Sequence, residues 1–235
     1  MLIIAHRGAS AVAPESTAAA IHAAVAAGVH MIELDVQMTR DGRLVLFHDA
    51  RLDRTTNGRG PLRVCRYAQL RRLDAGRWFH PRFAGQRILP ASQALRLAPR
   101  RIRLNLELKS TARRTALMRR VRRLARGAGP RVCWSSFDLT LVRALARAGL
   151  DRALISRDHP ARALRAALRY GCGAWHPSKD SLTRAALAQA HAAGLRVHVW
   201  TVDRVREARR LARWGADGIF TNDPARMRRA LRGGA

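Results

Sequence analysis

The alternation of two hydrophobic periods along the chain constrains its fold more than any other feature. Short apolar or β-branched runs alternate with Ala/Leu/Arg segments of helical period, the pattern of βα units around a parallel sheet. Strands are expected at Leu2–His6, Met31–Val36, Ile102–Leu108, Arg131–Ser136, Arg152–Ser156, Gly173–His176, Arg196–Thr201 and Asp217–Phe220. Helices are expected at Ser16–Ala27, Leu139–Ala148, Leu182–Ala193 and Arg204–Trp214, among others. Eight strands with intervening helices favour a closed (β/α)8 TIM barrel over an open doubly wound sheet. A length of 235 residues suits one such barrel, so a single domain over 1–235 is expected.

One stretch breaks the alternation. After the second strand, Arg40-Asp41-Gly42-Arg43 supplies an Asp-Gly turn and Leu44–His48 reads as a returning strand, a hairpin signature. Such a hairpin would bring His48 back over the C-terminal mouth of the barrel. The insertion it opens, about 40–90, is loop-rich, carries Trp78, Phe79 and Phe83, and is too long for an ordinary βα connection.

Composition excludes several alternatives. A hydrophobic fraction of 48% is ample for a core, so disorder is not expected. Cys65, Cys133 and Cys172 are odd in number and lack metal-ligand spacing, which fits free thiols in a reducing compartment. The N-terminal residues have no basic region, long apolar run or small-residue cleavage site, and no apolar run reaches the ~20 residues of a membrane span, so a cytoplasmic protein is expected. The formal charge of +29 is almost all arginine. Its densest stretch, Arg113–Arg126, has Leu117, Val121 and Leu124 at amphipathic spacing and no interleaved aromatic residue. That describes a solvated helix face better than a specific nucleic-acid site. Peripheral attraction to anionic membranes remains compatible with the charge.

With only 16 acidic residues, where they stand is informative. Glu33 and Asp35 are two apart on one strand and share a face, and Glu107 and Lys109 repeat the arrangement on the third strand. In a barrel these positions reach the C-terminal face, where active sites are built. Three converging carboxylates repel unless a cation neutralises them, and oxygen ligands favour Mg²⁺ or Ca²⁺. Taken alone, an ion-pair network with surplus arginines explains them equally well. His6 ends the first strand beside Arg7 and Gly8. Together His6 and His48 could supply an acid and a base at one mouth, while Arg7 and Lys109 could grip an anion.

These residues sit in a longer ordered set. It comprises His6-Arg7-Gly8, Pro14-Glu15-Ser16-Thr17, Glu33-Leu34-Asp35-Val36, Thr39-Arg40-Asp41-Gly42, His48-Asp49, Leu52 to Gly58, Gly76-Arg77-Trp78-Phe79, Leu106-Glu107-Leu108-Lys109, Val199-Trp200-Thr201-Val202 and Thr221-Asn222-Asp223-Pro224. In that order the chain resembles the glycerophosphodiester phosphodiesterase family. The resemblance implies a (β/α)8 fold, a Mg²⁺ or Ca²⁺ cofactor, and hydrolysis of small-molecule glycerophosphodiesters to glycerol 3-phosphate and an alcohol. It further implies metal ligands at Glu33, Asp35 and Glu107, an acid–base pair at His6 and His48, phosphate clamps at Arg7 and Lys109, and a pocket-lining tryptophan at Trp200.

Two departures stand out. The family usually has Asn where Ser16 stands, and both residues suit a helix cap. Its Ile-Pro-Thr-Leu-Glu-Glu pattern reads Leu89-Pro90-Ala91-Ser92-Gln93-Ala94 here, which bears on substrate preference. Glu15 could touch the site but reads better as a first-turn acid complementing the helix dipole, Asp49 reads as an orienter of His48 or an arginine partner, and Asp223-Pro224 as a helix start. His176 falls at a strand end on the catalytic side, and His198 reads as a hydrogen-bonded barrel residue. Two other functions compete: a related barrel phosphodiesterase acting on lysophospholipids or lipid head groups, and an inactive barrel that binds polyanions or membranes.

Overall fold

The computed structural model describes residues 1–232. In chain order the elements are β1 (Leu2–His6), α1 (Ala18–Ala26), β2 (Met31–Met38), β3 (Leu44–Leu46), α2 (Tyr67–Leu70), α3 (Ala91–Leu97), β4 (Arg103–Leu108), α4 (Arg114–Ala128), β5 (Val132–Ser136) and α5 (Leu139–Arg147). They continue with β6 (Arg152–Ser156), α6 (Pro160–Arg169), β7 (Ala174–Pro177), α7 (Arg184–Ala192), β8 (Arg196–Val199), α8 (Val205–Trp214), β9 (Gly218–Thr221) and α9 (Pro224–Arg232). The strand order β1-β9-β8-β7-β6-β5-β4-β2 is closed by β1 pairing with β2, giving eight parallel strands in a ring. β3 lies outside the ring, antiparallel to β2.

The strand period of two explains how the barrel fills. On β2, Ile32, Leu34 and Val36 join the large apolar layer between strands and helices. Met31, on the opposite face, packs with Ile4 and Phe220 in a separate cluster. Glu33 and Asp35 share the parity of Met31, so they point inward above it.

Each helix covers the ring with one apolar face. In α4, Leu117, Met118, Val121 and Ala128 are buried while Arg119, Arg120, Arg122 and Arg123 are exposed, as the amphipathic spacing requires. Cys133 and Cys172 are buried free thiols, whereas Cys65 is half-buried. Among the described residues, no helix is long and apolar enough to cross a membrane.

Strand boundaries agree with the sequence expectation to within two residues, and the shortening of β8 matters for the site. β8 stops at Val199, and Trp200 continues only as an isolated bridge to Ser178. A second correction concerns the start of α1. Thr17, not Ser16, is the cap: its Oγ1 accepts from the Ala20 amide at 3.4 Å and donates to the Pro14 carbonyl at 2.7 Å. Ser16 is buried in the left-handed region, φ 59°, and its Oγ has no hydrogen-bond partner.

The hairpin forms around Thr39. Its Oγ1 donates to Asp41 Oδ1 at 2.5 Å and accepts from the Arg43 amide at 2.9 Å, while Gly42 takes the left-handed conformation the turn needs (φ 80°). β3 is shorter than expected, ending at Leu46, but the Phe47 amide still donates to the Asp35 carbonyl at 2.9 Å. The insertion that follows packs on its own small core of Val45, Phe47, Leu52, Leu62, Leu70, Ala75 and Ile88.

Candidate active site

Strand register decides which side chains meet. His6 on β1 is level with Glu33 on β2, and Glu33 with Asn105 on β4. One layer nearer the C-terminal mouth, Asp35 is level with Glu107, and Glu107 with Ser135 on β5. Glu33, Asp35 and Glu107 are only 3%, 1% and 8% exposed, yet each offers a carboxylate oxygen within 4.8 Å of the others.

Two cations answer them. Lys109 Nζ lies 2.7 Å from Asp35 Oδ1 and also donates to Glu107 Oε1. Arg7 stands in the left-handed region, φ 57°, a strained conformation for a long side chain. There its backbone amide donates to Glu33 Oε2 at 2.9 Å, while its guanidinium lies 3.3 Å from Asp35 Oδ2 and 3.1 Å from Glu15 Oε1. Gly8 follows with φ 81°, and a Cβ there would come within 2.7 Å of the Ala20 backbone, so only glycine lets α1 pack so close behind the site.

The electrostatics leave the carboxylates short of positive charge. Burial, reinforced by Asp35 and Glu107, holds the Glu33 carboxyl well above the usual range. Burial and then Asp35 push Glu107 up to about 7. For Asp35, burial acts in the same direction but is outweighed by Lys109 and Arg7, so it falls below its ordinary value. Glu33 Oε1 is buried without a hydrogen-bond partner, and Asp35 Oδ2 has only the Arg7 guanidinium at 3.3 Å, too poorly aligned for a hydrogen bond. Inward-facing oxygens with spare lone pairs and surplus negative charge fit a hard divalent cation, and this group could hold one.

The two imidazoles flank the carboxylates. His6 Nε2 is 4.0 Å from Glu33 Oε2, and His6 Nδ1 is 2.7 Å from Asn222 Oδ1. Burial and then Arg7 lower the pKa of His6. His48 Nδ1 lies 2.6 Å from Asp49 Oδ1. Asp49 also accepts from Arg54 Nε at 2.6 Å, and Arg54, opposed by burial but aided by His48, lowers its carboxyl to about 2. The hairpin end that carries His48 is held by Gln37, whose Nε2 lies 3.0 Å from the Phe47 carbonyl, 3.1 Å from that of His48 and 2.6 Å from that of Asp49.

A cleft of about 220 Å³ joins these groups. His6, Arg7, Glu33, His48, Glu107 and Lys109 line one side. Trp200 lines the other, with Phe137 edge-on at 5.6 Å and the Arg157 guanidinium 5.4 Å from its ring. Trp200 is anchored by its Nε1, which donates to the His176 carbonyl at 2.9 Å. His176 lines the cleft floor, stacked on His198 with rings 5.1 Å apart, and both are buried.

The structure thus gathers all eight expected site residues at one mouth, and it adds others. Glu15 is corrected: it precedes α1 and joins Arg7 to Arg54, accepting from Arg54 at 2.8 and 2.9 Å, because two arginine charges outweigh a helix dipole. Asp49 does both things expected of it, meeting His48 and Arg54. Asn105 is fully buried in the cleft wall with neither side-chain polar atom partnered. Asn222 follows the last residue of β9 and meets His6, a place that the sequence signals only through the Thr221–Pro224 motif.

A mouth that pairs a carboxylate trio with imidazoles and fixed cations belongs to a (β/α)8 hydrolase of phosphate esters. The family model for the glycerophosphoryl diester phosphodiesterase family matches residues 6–226. Over 241 residues the chain is 33% identical to the glycerophosphodiester phosphodiesterase of Caldanaerobacter subterraneus subsp. tengcongensis, covering 99% of this chain and 98% of that protein. The phosphodiesterase of Oleispira antarctica, solved in complex with the product sn-glycerol-3-phosphate, superposes with a TM-score of 0.94 at 27% identity, over 99% of this chain and 97% of that one. The glycerophosphodiester phosphodiesterase of Agrobacterium tumefaciens gives 0.82 at 29% identity, over 98% and 99%. The chain belongs to the glycerophosphoryl diester phosphodiesterase family and is a phosphoric diester hydrolase.

Proposed function

We propose that the chain hydrolyses small-molecule glycerophosphodiesters to glycerol 3-phosphate and an alcohol, with a divalent cation at Glu33, Asp35 and Glu107 and with His6 and His48 as the acid–base pair. The observation that carries this reading is the group of three buried carboxylates within 4.8 Å, with an unpartnered oxygen on Glu33, in a cleft that His6 and His48 also line. Mg²⁺ or Ca²⁺ is the proposed ion, from the all-oxygen donor set. When bound, it would neutralise charge on the phosphoryl oxygens.

The remaining work falls to side chains. Arg7 and Lys109, both held rigid by their carboxylate partners, bind the phosphodiester anion and keep it in line. One imidazole withdraws a proton from the attacking oxygen, that of water or of the substrate's own glycerol hydroxyl, and the other delivers one to the departing alkoxide; in the second case water then opens the cyclic ester to glycerol 3-phosphate. Asp49 and Arg54 hold the His48 ring, and Trp200 with Phe137 offers an apolar wall to the organic part of the substrate. Beyond the site, the exposed arginines of α4 favour peripheral attraction to anionic membranes.

The bond cleaved is the point to test. With sn-glycero-3-phosphocholine and added Mg²⁺, ³¹P NMR of the products should show glycerol 3-phosphate as the new monoester. Accumulation of phosphocholine, or an intact diester, would refute the reading.

A further inference from the structure

Asn222 and Asp203 stand in series behind His6. Asn222 follows β9 directly, and its Oδ1 lies 2.7 Å from His6 Nδ1 and 2.9 Å from Ser10 Oγ. Its Nδ2 is 2.6 Å from Asp203 Oδ2, and its backbone amide donates to Asp203 Oδ1 at 2.8 Å. Thr221 Oγ1 donates to the same Asp203 oxygen at 2.9 Å. A carboxylate only accepts, so the Asn222 amide must turn its NH₂ toward Asp203 and its oxygen toward His6. An amide oxygen also only accepts, so the nitrogen of His6 that faces it must carry a proton.

We infer that Asn222, oriented by Asp203, is a positioning residue that fixes neutral His6 as the Nδ1–H tautomer, leaving the Nε2 lone pair aimed into the cleft. The two imidazoles of the site then differ in their support: a neutral amide behind His6, a carboxylate behind His48. The amide holds the ring and its tautomer without placing an anion next to Glu33. A carboxylate at position 222 would add negative charge beside a site that already holds three carboxylates. Asp203 is exposed, so it acts on the amide through three short hydrogen bonds rather than through burial. The inference rests on the proposed catalytic role of His6, but its tautomer is observable without turnover.

The test uses ¹⁵N-labelled full-length protein at pH 8, with the His6 ring signals identified by their absence in His6→Gln. Wild type should show a protonated Nδ1 and a lone-pair Nε2. Asn222→Leu should convert much of this population to the Nε2–H form. With sn-glycero-3-phosphocholine and Mg²⁺ it should lower kcat about 10–100-fold, the usual cost of losing a histidine's orienting partner, with little change in KM. Asp203→Asn keeps shape and removes only the demand on the amide, so it covers the case where the leucine variant fails to fold. It should give a mixed tautomer and a smaller kcat loss. An Nε2–H tautomer in wild type, or an unchanged tautomer in both variants, overturns the inference. Full turnover in His6→Gln would instead overturn the catalytic role of His6, a separate failure from either tautomer result.

Discussion

His6 and His48 are built into the site in different ways. The first is buried beside Arg7, which lowers its pKa, and the second is half-exposed at the end of a hairpin. Each should be needed: His6→Ala and His48→Ala are expected to cost roughly 10²–10⁴-fold in kcat, as removal of a general acid or base does. Neither should abolish cation binding measured by calorimetry, because the ion rests on the carboxylates. A nitrophenyl leaving group should rescue only the variant that lacks the general acid; near-normal turnover of both variants on a choline diester would contradict the pair. Ser16 shows what the sequence concealed at this scale. Residue type alone suited it to a helix cap, but the backbone turns left-handed at 59° just before the cap, where the family's asparagine sits more comfortably than serine. Ser16→Asn should therefore stabilise the protein by about 1 kcal/mol, a gain of roughly 2–4 °C in Tm by calorimetry. A drop in Tm would mean that the buried pocket around Ser16 cannot take the larger side chain.

Among the elements, the hairpin contributes most to the site beyond the barrel itself. It was legible because an Asp-Gly turn between two apolar runs has few other uses, and so was the return of His48 to the mouth. What could not be read was how the segment after it is held. Residues 49–90 make irregular backbone bonds and side-chain contacts with no period, such as the amides of Gly76, Arg77 and Gly85 that donate to Asp74. Gln37 was invisible for the same reason: it continues the β2 face of Glu33 and Asp35 one step further toward the mouth, yet its amide reaches three successive carbonyls at the hairpin end. Gln37→Ala should loosen His48 and lower kcat while cation affinity stays unchanged; wild-type kcat would show that the insertion's own core suffices. α4 provides the opposite control. Its arginines lie on the outer ring, so neutralising Arg119, Arg120, Arg122 and Arg123 together to Gln should leave kcat/KM on soluble substrate nearly unchanged. A large loss with the fold intact would reveal substrate steering by that face.

At the scale of the molecule, the barrel was legible from its repeating periods, and the convergence of Glu33, Asp35 and Glu107 followed from strand parity alone. Side-chain pairs between strands were not legible, because register is set by closure of the whole ring. The buried pair His176 and His198 is such a case. Burial lowers both pKa values, that of His198 to about 4 and that of His176 well below its ordinary value. As pH falls below about 6.5 the unfolded chain takes up protons that the folded barrel refuses, so stability must fall with them. Urea unfolding from pH 7 to pH 4 should show a loss that is smaller in a His176→Leu/His198→Leu variant; equal slopes would mean that the pair titrates normally. The claim on which everything else depends is that three carboxylates hold a catalytic cation. Its most direct test is release of glycerol 3-phosphate from sn-glycero-3-phosphocholine by chelator-treated protein, before and after Mg²⁺ or Ca²⁺ is restored. Activity should vanish with the chelator and return with the ion, and Glu33→Ala, Asp35→Ala and Glu107→Ala should each fail to recover it. Full turnover in the presence of chelator would contradict the account.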